Sequence, residues 1–530
     1  MSKGRALALS AGIVTIATFS GRIFGFIREM VISNRFGASA ETDAFFVAFM
    51  IPNIIYSLVV MGALSASFIP IFSGLLAHEK EKEAWHLAYT IFNLLLIFFG
   101  LIATILIIFA PHVIFLIAPG LSSGSGGQPG QLELAASLLR LMAPALILMG
   151  ISGLMAGALN SYNHFSTPSM VALVQNILMV ISILILADKI GIYGAAIGLL
   201  LGAAGQVLIQ LPAFVKRKLP YRLVIDLSHD KVVSVGKLFL PVLAALAASQ
   251  SNIVIDKWFA SFLATGSISY LNYAYKVASL PLGTLVAAIA IVLFPTLSQH
   301  AAKKDINALR NTISLGIRVI ALAAVPASVG LFVLSIPITS LLFEHGAFER
   351  NATLATASAL SAYSFGILAM GLNMLLVRAF YALQDGMTPL KAAVAFIFLL
   401  ISLDLFFVRF LAHVGLAAGY TIAVSLMALI LLRALQRRLQ GLNGVQVVRS
   451  FVKIAAAAVA MGVVTWLASD YLATILSAGS KLNELIIVSL SILAGIITYV
   501  FVLIVMRTSE IVMLWRMVRS RISRSQPQVA

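Results

Sequence analysis

Residues 91–110 read IFNLLLIFFGLIATILIIFA, 20 positions without one formal charge. A helix rises about 1.5 Å per residue, so a run of this length covers about 30 Å, the hydrocarbon thickness of a bilayer. Such runs recur along the chain, near 8–34, 44–77, 86–110, 134–159, 166–187 and 191–215, then 235–262, 267–299, 311–343, 353–383, 388–411 and 415–436, with a last pair at 451–472 and 484–506. They predict an all-α polytopic membrane protein with 14 spans, because only helices or closed barrels satisfy backbone polar groups inside lipid. Composition agrees. Of 530 residues 61% are hydrophobic and 10% charged, against about 25% charged in an average soluble domain.

The charges that remain set orientation. The net charge is +17, from 36 basic and 19 acidic residues, and in a soluble chain that surplus would raise the question of nucleic acid. Here the basic residues fall in short loops between apolar runs, not on a face interleaved with stacking aromatics, so topology and lipid-surface contact account for them. Counted over alternate loops, one side collects 24 Lys and Arg and the other five: Arg35, Lys189, Arg350, Arg409 and Lys481. The positive-inside rule then places both termini in the cytoplasm. The opening MSKGRALALSAGIVTIATFSG reads as an uncleaved first span, since its pattern runs on through Arg22 and Arg28 without a convincing cleavage site.

Several chemistries are disfavoured by what the chain contains. There is no cysteine, and the eight histidines are scattered without zinc-ligand spacing. Gly120, Ser122 and Gly124 have the spacing of a nucleophile elbow, but that motif needs a strand-to-helix turn with His and acid partners. The Gly/Ser stretch 121–130 is read as an outside linker and 511–530 as a solvated basic tail. No catalytic constellation emerges, which points away from an enzyme.

The two groups of six spans repeat. FIPIFS, ending at Ser73, recurs as LFPTLS, ending at Ser298, 225 positions later; PHVIFLIAPG from Pro111 recurs as PITSLLFEHG from Pro337 at offset 226. Met149 and Gly150 return as Met370 and Gly371, and Thr167 and Pro168 as Thr388 and Pro389, both at offset 221. The expected organisation is 1–230 for the first lobe, 231–440 for the second, 441–510 for two further helices and 511–530 for the tail. An even number of spans per repeat gives parallel halves, the transporter arrangement with a substrate site near the midplane, and helices broken at Pro52, Pro70, Pro281, Pro295, Pro326 and Pro337 favour alternating access.

Charges inside spans mark function, since each costs about 2.5 to 3.5 kcal/mol at the membrane centre. In TIATFSGRIFGFIREMVIS, Thr15, Thr18, Gly21, Arg22, Gly25, Arg28, Glu29 and Ser33 share an arc of about 140° at 100° per residue. Glu29 can neutralise one arginine in a structural pair; the second leaves positive charge over, which suits an anionic substrate. Asn272, Tyr273 and Lys276 form a polar layer in the eighth span, and Lys276 alternatively snorkels to an interface. Asp43 opens the second span, where helix-dipole complementation and a gating role are open alternatives. Ser249, Asn252 and Asp256 line one stripe of the seventh span and Asp404 lies within the eleventh; they read either as oxygen ligands of a cation or proton site or as partners of Lys257 and Arg409.

The segment FSGRIFGFIREMVISNRFGASAETDAFFVAFMIPNII, followed by GALSASFIPIFS, closely resembles the MurJ (MviN-like) lipid II flippases of the multidrug/oligosaccharidyl-lipid/polysaccharide exporter (MOP) superfamily. FASFLATGSISYLNYAYKVASLPLG and RAFYALQDGMTPLK are similar to the same family. The resemblance implies two six-helix lobes around a cationic cavity, a lipid-facing groove on the last two helices, and movement of an undecaprenyl-pyrophosphate-linked peptidoglycan precursor from the inner to the outer leaflet of a bacterial cytoplasmic membrane. It implies a substrate-binding set of Arg22, Arg28, Glu29 in place of the usual Asp, Asp43, Asn53, and Lys276 where an Arg is typical. Asp256, Asp404 and Thr421 become candidates for a sodium site, with sodium, protons or the membrane potential as coupling and no other cofactor. Met50 and Tyr56 stand where the family often has basic residues. The expected partners are lipid II and membrane lipids, with no nucleic acid; flipping of another undecaprenyl-linked oligosaccharide and cation-coupled multidrug extrusion are the alternatives.

Overall fold

Inside a bilayer each backbone N–H and C=O must find its partner within the protein, and every regular element among the described residues is a helix. The structure, a computed structural model, describes residues 3–122, 128–215, 223–476 and 480–508; the tail expected at 511–530 and residues 123–127 of the Gly/Ser stretch lie outside these. The first helices are α1 (Lys3–Phe36), α2 (Ala40–Tyr56), a π-helical segment (Ser57–Leu64), α3 (Ser65–Ala77), α4 (Glu81–Ile108) and α5 (Ala110–Ile117). Next come α6 (Gln131–Met142), α7 (Ala145–Ser161), α8 (Ser166–Ile190), α9 (Tyr193–Val215), α10 (Asp230–Ala260) and α11 (Ser267–Ala278). A second π segment (Leu282–Val286) precedes α12 (Ala287–Ala302), α13 (Ile306–Val333), α14 (Ser335–Phe343), α15 (Arg350–Ser364) and α16 (Ile367–Ala382). The chain ends in α17 (Met387–Arg438), α18 (Gly444–Ile475) and α19 (Lys481–Val505).

Among the described residues eight helices are long and apolar enough to cross a membrane, and two bent pairs, α6 with α7 at 41° and α15 with α16 at 45°, bring the number to ten. The sequence expects 14 spans, and α17 takes in two of those. Its 52 residues would reach about 78 Å as one rod, more than twice the hydrocarbon thickness. Ala412 interrupts it at φ 47°, ψ −128°. Beyond the break the chain runs back along itself: a β-carbon on Gly415 would lie 2.5 Å from the Phe407 carbonyl oxygen, and one on Gly419 2.5 Å from Asp404 Oδ1.

The sequence repeat has a structural counterpart in where helices break. The π segments start at Ser57 and Leu282, 225 residues apart. The residues capping the ends of α4 and α13 are Phe109 and Leu334, also 225 apart, with nearly the same dihedrals (φ −99°, ψ 18° and φ −98°, ψ 20°). Proline accounts for part of this. Pro52 lies in the turn before the first π segment and Pro281 immediately before the second, each removing an N–H from the ladder. Pro70, Pro295 and Pro326, expected as breaks, stay inside α3, α12 and α13.

The chain divides into two compact units. The first comprises residues 1–269 with 345–349, and the second residues 270–344 with 350–530. The first unit therefore takes in the whole of α10. The reason is the packing of α10 on first-unit elements: Gln250 Nε2 donates to Ser57 Oγ at 3.0 Å, Leu246 occupies the space a Gly62 side chain would need, and Gly120 N donates to Ser261 Oγ at 3.1 Å. Within the same unit the 345–349 turn meets the last turn of α1, where Ala347 N donates to the Asn34 carbonyl at 2.8 Å.

In the second unit α18 and α19 pack on α13 through Ala321, Ile454, Ala457, Met461 and Tyr499. Tyr499 Oη donates to the Leu322 carbonyl at 2.9 Å. These helices lie within the second unit.

Candidate functional site

The polar arc of α1 is built as much for helix contact as for charge. Glycines let α8 approach: a β-carbon on Gly21 would lie 3.3 Å from Leu173 N, and one on Gly25 3.2 Å from Asn176 Nδ2. Asn176 fills the gap so made, donating from Nδ2 to the Gly21 carbonyl at 3.1 Å and accepting from Arg28 Nη1 at 3.0 Å. Arg28 Nη2 meets Glu29 Oε1 at 2.6 Å, and the guanidinium carbon stands 5.1 Å from the centre of the Phe49 ring on α2. Arg28 is 8% exposed and Glu29 2%, so the pair expected as the structural alternative does form, out of water. Arg28 Nε is buried with no hydrogen-bond partner among the described residues. Arg22, by contrast, is exposed, about 9 Å along the helix from Arg28 at 1.5 Å per residue.

Asp43 keeps its place at the N-terminal end of α2 and also reaches a second helix. It lies in the first turn of its own helix, yet its carboxylate caps another. Oδ2 accepts from Gly266 N at 2.6 Å, while Oδ1 accepts from Ser269 N at 2.8 Å and Ser269 Oγ at 2.5 Å. These are donors of the first turn of α11, which have no partner within the helix and favour a negative charge. Both oxygens thereby accept from this turn. Lys257 lies beside this cap, donating from Nζ to the Ile268 carbonyl at 3.3 Å with Phe46 5.8 Å away.

The remaining expected contacts divide between the units. Asn53 is half-buried and donates to the Phe49 carbonyl at 2.8 Å, holding the turn that Pro52 weakens. Met50 is buried and Tyr56 half-buried. In the second unit Lys276 is half-buried, but Tyr273, expected in its polar layer, is fully buried with its ring centre 4.9 Å from that of Phe343. The physical reason is helical phase: Tyr273 shares the apolar face of Leu271, Ala274, Val277 and Ala278, all buried.

The candidate cation ligands are not assembled within either unit. Asp256 lies in the first, with Oδ1 buried and without a hydrogen-bond partner among the described residues. In the second unit Asp404 is fully buried against Gly419. Thr421 lies about 200° around the helix from Gly419, and its hydroxyl donates to the Ala362 carbonyl at 2.9 Å. Among the described residues no group of three His, Cys, Asp or Glu side chains is placed to hold a metal.

Sequence reasoning passed over Asn176, the residue that fixes Arg28. Its signal was present, since an amide inside the apolar run VALVQNILMV demands a partner. It also passed over a buried amide group where Gln210 Nε2 donates to Ser152 Oγ at 2.8 Å, to the Ser152 carbonyl at 3.1 Å and to the Gln206 carbonyl at 3.0 Å.

Comparison with known proteins bears on this arrangement. The sequence profile of the family described as "Lipid II flippase MurJ" matches residues 32–488. The "Lipid II flippase MurJ" of Burkholderia cenocepacia is 30% identical over 475 residues, which cover 87% of this chain and 91% of that protein. The "Probable lipid II flippase MurJ" of Vibrio cholerae is 31% identical over 507 residues, covering 94% and 96%. Among solved structures, "Lipid II flippase MurJ, inward closed conformation" superposes with a TM-score of 0.78 at 27% identity, over 93% of this chain and 98% of that one. An inward-facing multidrug resistance MATE transporter of the MOP superfamily superposes at 0.67 with 14% identity, over 79% and 94%, a likeness of fold alone. With the profile matched from residue 32 to residue 488 and relatives at this identity aligned over most of their length, the chain belongs to the MurJ family of lipid II flippases.

Proposed function

We propose that this chain moves lipid II from the inner to the outer leaflet of the bacterial cytoplasmic membrane by alternating access, with both termini in the cytoplasm. The observation that carries the reading is the state of Arg28: a guanidinium fixed by Glu29, Asn176 and Phe49, with Nε buried and still lacking an acceptor. An anionic pyrophosphate supplies acceptors of the right charge, and guanidinium groups match phosphate oxygens in a fixed fork geometry. Arg22 on the same helix adds a second cation at a position the family resemblance selects. Arginines in the membrane-embedded part of α1 argue against a multidrug extruder, whose organic cations they would repel. The prenyl chain needs no polar site and can remain in lipid.

The test is a leaflet-accessibility assay for lipid II in cells where this protein can be inactivated within minutes. Externally accessible lipid II should fall while the total rises. An unchanged distribution between leaflets would end the proposal.

A further inference from the structure

One face of α11 carries polar and aromatic groups away from the buried core of the second unit. At 100° per residue, Asn272, Tyr275 and Lys276 share an arc of about 100°, opposite the buried face of the same helix. An ammonium and an amide sharing one side of a helix favour a polar partner over acyl chains. Asn272 Nδ2 is buried with no hydrogen-bond partner among the described residues. Tyr275 is 37% exposed, yet its ring is held in place. Tyr363 meets it edge-on at 5.6 Å and 74°, and Tyr420 at 5.9 Å and 90°; those two meet each other at 5.8 Å and 74°. Tyr363 and Tyr420 are themselves buried. The result is a fixed aromatic ring with an open side, next to an amide donor and a cation.

Such a ring suits a sugar. The axial C–H groups of a pyranose present a weakly positive apolar face to the negative face of an aromatic ring, and a rigid ring loses little entropy on contact. An amide donor beside it suits a sugar hydroxyl or acetamido oxygen, and an ammonium suits the phosphate to which that sugar is attached. We propose that Tyr275 is the glycan-contacting residue of this protein, with a sugar ring stacked on it, Asn272 donating to that sugar and Lys276 meeting the adjoining phosphate. This rests on the lipid II reading and adds to it the place where the sugar, as distinct from the pyrophosphate, is recognised.

The test compares two probes on the purified full-length chain in detergent: lipid II, and undecaprenyl pyrophosphate, which carries no sugar. For Tyr275→Ala we expect lipid II affinity to fall about tenfold, the scale of one good aromatic contact, with undecaprenyl pyrophosphate affinity within about twofold of the unsubstituted chain. Tyr275→Phe, which keeps the ring, should restore lipid II binding and reports on folding should the alanine variant be unstable. Equal losses for both probes, or no loss of lipid II binding in the alanine variant, overturn the inference while leaving the flippase reading in place. If the unsubstituted chain prefers neither probe to phospholipid, the flippase reading itself fails and this inference with it.

Discussion

Asn176 holds Arg28 and α1 together with one side-chain amide: its Oδ1 accepts from Arg28 Nη1 at 3.0 Å while its Nδ2 donates to the Gly21 carbonyl at 3.1 Å. The guanidinium is thus positioned by a helix 148 residues away in sequence. Asn176→Ala removes both bonds and should cost about 1 to 3 kcal/mol of stability by leaving buried groups unsatisfied. It should also weaken lipid II binding about tenfold, while Asn176→Asp, which keeps the acceptor for Arg28, restores much of the binding. Unchanged lipid II affinity in the alanine variant would remove the positioning role.

The Arg28–Glu29 pair separates stability from transport. Arg28→Ala leaves a carboxylate 2% exposed without its guanidinium, and breaking a buried pair costs about 3 to 5 kcal/mol. Removing both charges with Glu29→Gln added should recover most of the thermal stability in detergent. It should not recover growth of a flippase-depleted bacterium. Growth at normal expression in the double variant would show that Arg28 serves only to neutralise Glu29.

Asp43 makes a local prediction about α11. Asp43→Ala takes away the acceptor of two backbone N–H groups and one hydroxyl; loss of a cap costs about 0.5 to 2 kcal/mol. Amide hydrogen exchange at Gly266 and Ser269 should rise at least tenfold, with far smaller changes at the α18–α19 contact. Protection unchanged at those two amides would contradict the capping geometry.

Gly37 and Gly346 contact each other's turns reciprocally. Each has a positive φ, 64° and 57°, and a β-carbon on either would lie 2.3 Å from a backbone oxygen, of Ala347 and Asn34 respectively. Alanine at either position adds a clash to the left-handed backbone cost of about 1 to 2 kcal/mol. Gly130→Ala, at φ 82° with nothing within 4 Å, carries the backbone cost alone. Melting temperatures should therefore fall clearly further for the first two than for the third; equal shifts would mean the turns are not in contact.

One acid-sensitive contact lies outside the spans. The backbone N–H and hydroxyl of Thr388, followed by the charge of Arg438, hold the Asp385 carboxyl below its ordinary range. A lowered native value stabilises the fold above the unfolded value, about pH 4, and that contribution disappears as pH falls through the native value. Between pH 6 and pH 3 the unsubstituted chain should lose more stability than Asp385→Asn does, and parallel melting curves across that range would refute the assignment.

The sequence by itself determined that this chain is a bundle of membrane helices, that its halves repeat, and that α1 carries a cationic arc. Hydropathy is a sum over about 19 neighbouring residues and helical phase a count along one segment, so both can be read without knowing what lies alongside. Even the repeated breaks at Ser57 and Leu282 were foreshadowed by landmarks at the same offset of 225. Partners were another matter. That Asp43 also accepts from the first turn of α11, that Tyr275 is exposed where Tyr273 is buried, that Asp404 rests on Gly419, and that α10 packs with the first unit were decided by which helices pack together. Those neighbours are more than a hundred positions apart in several cases, and a side chain's chemistry inside a membrane depends on which of them fills the space beside it, a quantity that exists only once the helices have packed.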